Sequence, residues 1–229
     1  MNLFVRSKLF VRRQMVSLWG SRGLLFRVVG LAKSNALATV LYLMSYLAPI
    51  IVTASFHFGS DSLNHFDFST LLLIPSLISI LLLAVSLYCF SYPVSMGKFL
   101  RDFFAAFLTV NVFFFVAAMF ILVLPDALNF YLNALRDVLL AAYTACLFAR
   151  VALSESFNFK IPSKVFVGTL IMATGVRVVD LGIGHFMTSH AQQLLLAAAV
   201  GVLSVPVFLA AMIALRRQGL KECGASSAN

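Results

Sequence analysis

The chain has 229 residues, 62% of them hydrophobic and 11% charged, and 17 Lys and Arg stand against 8 Asp and Glu for a formal charge of +9. Soluble domains carry roughly 45–50% apolar and about 25% charged residues. A water-soluble globule is therefore excluded, lipid is the expected solvent, and the basic excess is assigned to a membrane surface and not to nucleic acid.

From residue 1 to residue 35 there is no acidic side chain, and apolar residues such as Leu9, Phe10, Val16 and Trp19 alternate with Arg6, Lys8, Arg12 and Arg13. This composition suits a basic amphipathic arm lying in a headgroup layer against anionic lipid. An organellar transit peptide shares its features.

Apolar runs of about 20 residues are long enough to cross roughly 30 Å of hydrocarbon. Five meet that length, at 36–56, 70–94, 103–125, 165–186 and 191–215. A sixth, at 132–153, reaches it only by admitting Arg136 and Asp137 near one end. Charge supports the count, because basic residues in short loops stay cytoplasmic. With six spans, 15 of the 17 Lys and Arg fall on one side, Arg136 on the other and Arg177 within a span. Removing the span at 132–153 would move Arg150, Lys160 and Lys164 across and spoil the pattern. The expected architecture is an all-α polytopic bundle of six transmembrane helices. Residues 1–35 form its arm, 36–215 its membrane domain and 216–229 a short cytoplasmic tail. Both termini are expected in the cytoplasm of a bacterial inner membrane, with a mitochondrial inner membrane as the alternative.

Pro49, Pro75 and Pro206 fall within the first, second and sixth spans, where proline removes a backbone hydrogen bond and favours a bend. Asn111 sits in mid-span three as an uncharged polar group able to contact another helix.

Span five holds the main candidates. Arg177 and Asp180 are ionisable groups inside hydrocarbon, costly there and expected to face protein or water. Their i, i+3 spacing puts them on one helical face, where they can pair. With Asn111 they make up the candidate intramembrane polar site, to be weighed against a purely structural ion pair. Gly168, Gly175 and Gly182 recur every seven residues, a spacing that makes a smooth packing groove for another helix. Arg177 lies roughly 200° from Gly175 by helical geometry, so span five is expected at the centre of the bundle.

His57, Asp61, His65, His185 and His190 gather on the side opposite the arginines, and imidazole with carboxylate suits a divalent metal. Polar loops also collect such residues for solubility, and these five are weak metal candidates. No tryptophan-rich segment of a haem-handling membrane protein accompanies them, since Trp19 is the only tryptophan. The three cysteines, Cys89, Cys146 and Cys223, show neither Cys-x-x-Cys nor Cys/His zinc spacing,. No metal or other cofactor is expected.

No His-Glu-x-x-His, Gly-x-Ser-Gly or phosphate-binding glycine loop occurs in the sequence,, and the protein is not expected to be an enzyme. Two classes remain. One is a small transporter or channel subunit with a polar site on the fifth span, working as a homo-oligomer or with a membrane-protein partner. The other is a non-catalytic assembly, anchoring or regulatory subunit of a larger membrane complex.

Overall fold

The computed structural model describes residues 23–59, 68–92, 94–122, 126–153, 161–184, 186 and 189–226, and among the described residues there are helices and no strands. The helices are α1 (Gly23–Ser34), α2 (Ala36–Gly59), α3 (Phe68–Ser91), α4 (Met96–Leu122), α5 (Asp126–Ala152), α6 (Ser163–Gly184) and α7 (His190–Ser226). Helices α3 to α7 are each long and apolar enough to cross a membrane, and α1 with α2, bent by 97° at the break between them, make up a sixth candidate. The six expected spans correspond to α2 through α7, and Pro49, Pro75 and Pro206 lie inside α2, α3 and α7 as expected.

The boundaries differ from the hydropathy reading where polar residues cap or extend a helix. The third span begins at Met96, seven residues before the apolar run, because Ser95 supplies the carbonyl that accepts the Phe99 N–H, as an N-cap residue does. Lys98, Arg101 and Asp102 are therefore helical, and Asp102 is buried against Arg101 at 3.1 Å. Helix α7 starts on a reciprocal cap in which the Gln192 N–H donates to Ser189 Oγ and the Ser189 N–H donates to Gln192 Oε1, each at 3.3 Å. Ser-x-x-Gln is a sequence-readable capping box. At the other end of the chain, Asn35 breaks α1 from α2. Its Nδ2 donates to the Leu31 carbonyl at 3.2 Å while its own carbonyl accepts the Thr39 N–H at 2.9 Å, the local competition that makes Asn a poor interior helix residue.

Residues 1–22 of the expected arm lie outside the described residues. Helix α1 is two-faced: Val28, Leu31 and Ala32 pack against the core, and Arg27 and Lys33 are exposed.

Neighbouring helices pair antiparallel. Residue pairs across three of the packed couples run in opposite order: Ser45 with Ser79 and Ala38 with Ser86 join α2 to α3. Phe103 with Phe148 and Phe113 with Tyr143 join α4 to α5. Cys146 with Thr169 and Asp137 with Arg177 join α5 to α6. The core is centred on α5 and α7, where Leu147, Ala149, Phe208 and Leu209 are almost wholly buried. Tyr42 of α2 stacks on Phe208 at 4.2 Å between ring centres, and Phe90 of α3 meets the same ring edge-on at 5.7 Å.

One proline has a visible accommodation. Pro49 has no N–H, so the carbonyl of Ser45, four residues back, loses its helical donor. The hydroxyl of Ser79 on α3 donates to that carbonyl, which is how membrane helices re-satisfy backbone freed by proline. Ser79→Ala is expected to destabilise by about 1–2 kcal/mol, the cost of an unmet buried acceptor. Pro49→Ala restores the helical donor, so the double variant should lose much less than Ser79→Ala alone. Denaturation midpoints of the four proteins in mixed micelles measure this cycle.

Candidate functional site

Helices α2, α5, α6 and α7 line a half-open cavity of about 390 Å³. Its walls are mainly apolar, among them Ile50, Val138, Leu140, Ala141, Ala173, Val176 and Val200. Polar groups come from two levels of the bundle. Tyr42 and Tyr46, whose hydroxyls lie 3.4 Å apart, and Ser204 supply hydroxyls, and Arg177, Asp137 and Asp180 supply charges. By the helical rise, Arg177 lies roughly 21 Å along α6 from Ser163, well inside the apolar span.

The charged side chains form an alternating row. Arg136 donates from Nη2 to Asp137 Oδ1 at 2.8 Å, Arg177 donates from Nη2 to Asp137 Oδ2 at 3.0 Å, and Arg177 Nη1 pairs with Asp180 Oδ2. Asp137 thus gives one carboxylate oxygen to each arginine, and the row of two cations and two anions is neutral. The arrangement ties α5 to α6. The Arg136 guanidinium also lies 5.1 Å from the centre of the Phe114 ring, a cation–π contact that extends the row to α4. These side chains are 19–33% exposed, which leaves the row partly open. The Arg177 Nε–H is buried and has no acceptor among the described residues.

The expected Arg177/Asp180 pair is present, joined by two residues that the sequence reading treated only as a marginal span end. Their pairing required knowing that α5 lies antiparallel beside α6.

Asn111 does not join this site. It is exposed on α4, and its Nδ2 donates to the Phe107 carbonyl of its own helix at 2.8 Å.

Span five also differs from its expected central position: α6 packs against α5 and α7 and leaves Thr174, Gly175, Val178, Val179, Gly182 and Ile183 exposed. Of the glycine stripe, Gly168 is buried, and a Cβ at Gly175 or Gly182 would meet nothing within 4 Å. Gly168 sits at the edge of the packed face set by Val165, Thr169 and Ala173, and a seven-residue repeat drifts roughly 20° per repeat. The upper two glycines therefore turn out of the contact. A glycine outside the stripe, Gly201 on α7, permits close approach of α2, since a Cβ there would lie 3.3 Å from Tyr46 Cβ. A lone glycine in an apolar helix carries no periodic signal in the sequence.

Of the weak metal candidates, Asp61, His65 and His185 lie outside the described residues, as do the side chains of His57 and His190. Among the described residues no group of three or more His, Cys, Asp or Glu side chains is placed to hold a metal ion.

Compared with known proteins, the chain matches no family model, no curated protein and no solved structure.

Proposed function

We propose that this membrane protein is a small transporter or channel subunit that takes a small, mostly apolar solute bearing a polar acceptor group into the cavity between α2, α5, α6 and α7. The observation that carries this reading is that Arg177, Asp137 and Asp180 line a cavity of about 390 Å³ instead of being sealed between two helices. Small-molecule sites typically span about 300–1,000 Å³, with mainly apolar walls and a few convergent polar groups. An acceptor on the solute would pair with the partly exposed Arg177 guanidinium, and the hydroxyls of Tyr42, Tyr46 and Ser204 would bind a second polar end. The neutral charge row keeps a guanidinium in the apolar layer without a net charge, which lowers the cost of holding it there. No catalytic step is assigned. The basic ends of the helices are placed at the cytoplasmic face of a bacterial inner membrane, against anionic lipid.

Ala141 lines the cavity one helical turn from Asp137 and takes no part in the charge row, so Ala141→Phe fills the space without removing a charge. A panel of small organic acids, amides and alcohols should include a compound that raises the thermal midpoint of the purified protein and enters proteoliposomes. Both effects should be lost in Ala141→Phe at unchanged protein level. Equal uptake by the filled variant, or no stabilising compound for either protein, would count against a solute site.

The second reading, an assembly or anchoring subunit, draws on a different observation: only 6% of the apolar window of α4 is buried, against 44% in α7.

A further inference from the structure

Helix α4 carries two seams of the same spacing on nearly opposite sides. Phe99, Phe103 and Ala106 are buried against the bundle. On the other side, Phe104, Leu108, Asn111, Phe115 and Ala118 follow one another at intervals of four, three, four and three residues. Phe104, Leu108 and Phe115 are 60%, 65% and 64% exposed. Asn111 lies roughly 140° around the helix from Ala106 at 100° per residue. Alternation of fours and threes is the 3.5-residue period of a left-handed helix pair. Asn111 occupies the middle of the outer seam, near the midpoint of the 26-residue apolar span. Its Nδ2 donates to Phe107 O, and Oδ1 meets no donor among the described residues. An amide oxygen in hydrocarbon lacks water to satisfy it, so a donor from beyond the described residues is called for.

We infer that the outer seam of α4 is a homodimer interface, with a second copy of this chain seated on it and Asn111 facing Asn111. The carboxamide decides the occupant. It carries both donors and an acceptor, so it is complementary to itself. Two copies threaded the same way through a membrane place their α4 helices parallel, with Asn111 at one depth. A two-fold axis along the seam then sets the two amides opposite each other, as an isologous interface requires. Phe104, Leu108 and Phe115 pack above and below the amide pair, and a single polar residue in such a seam selects register and partner number. This inference is independent of the cavity.

The test is association of the full-length, fluorescently tagged protein in phosphatidylcholine/phosphatidylglycerol vesicles, followed by energy transfer as the protein is diluted into lipid. The wild type should show a saturable dimer. Asn111→Leu should weaken association roughly 3- to 30-fold, the range set by intramembrane side-chain hydrogen bonds. Asn111→Gln should retain it, and Val178→Ala, on the exposed face of α6, should leave it unchanged. In a background with Cys89, Cys146 and Cys223 replaced, Asn111→Cys should form an oxidant-dependent dimer and Val178→Cys should not. Monomer at every dilution, equal association of wild type and Asn111→Leu, or cross-linking of Asn111→Cys solely to another protein in native membranes would each overturn the inference.

Discussion

Arg177→Met should destabilise the protein by about 3 kcal/mol, the scale of removing one partner from a partly buried ion pair within the membrane. The cost falls on Asp180. Asp137 retains Arg136 at 2.8 Å, whereas Asp180 has Arg177 as its ion-pair partner among the described residues. The converse change, Asp180→Leu, should cost less, about 1 kcal/mol, because Arg177 keeps Asp137 at 3.0 Å, a residual pairing that limits the loss. The double variant leaves the neutral Arg136/Asp137 pair and should recover most of the stability lost in Arg177→Met. Unfolding in mixed micelles measures the stability, and uptake into proteoliposomes measures the function. If the cavity binds solute through Arg177, the double variant regains abundance without regaining uptake. Recovery of both would reduce the row to a structural tie between α5 and α6. Equal stability of all four proteins would show that the row carries no net interaction energy.

The second large effect is expected at Phe208, whose ring is fully buried between Tyr42 and Phe90. In water, truncating such a residue loses both a transfer term and a cavity term. In lipid the transfer term largely vanishes, because the acyl chains outside are as apolar as the core. The cavity term remains: about 100 Å³ vacated at roughly 24 cal/mol per Å³ gives about 2–3 kcal/mol for Phe208→Ala. Phe208→Leu, which fills most of that space, should lose less than half as much. Leu81→Ala, at a 65% exposed position of α3, should be close to neutral, since lipid closes over it. Were the exposed and buried truncations to cost the same, packing around Phe208 would not hold α7 against α2 and α3.

The spans were readable because lipid imposes a one-dimensional test: a helix must remain apolar for about 20 residues, and loop charges report which side they occupy. Even the marginal fourth span, on which the placing of Arg150, Lys160 and Lys164 depends, is present as α5. The helix ends were less readable. At Ser95 the boundary depends on one capping hydrogen bond, to which a hydropathy average is blind. Part of the candidate site was also legible, since Arg177 and Asp180 share a face on one helix and local geometry alone brings them together.

By itself, then, the order of residues determined the solvent, the candidate spans and the pairing of Arg177 with Asp180 within a single turn. Only the tertiary structure decided which helices touch. It moved α6 from the expected centre to an edge, brought Asp137 across to Arg177 over 40 positions of chain, left Asn111 on an outer face, and gave a close approach to Gly201 while Gly175 and Gly182 face open space. The reason is that helices in a membrane gain little from hiding apolar surface, and their arrangement follows from side-chain fit and interhelical hydrogen bonds. Those terms depend on which faces meet, a relation between distant segments that no local pattern records.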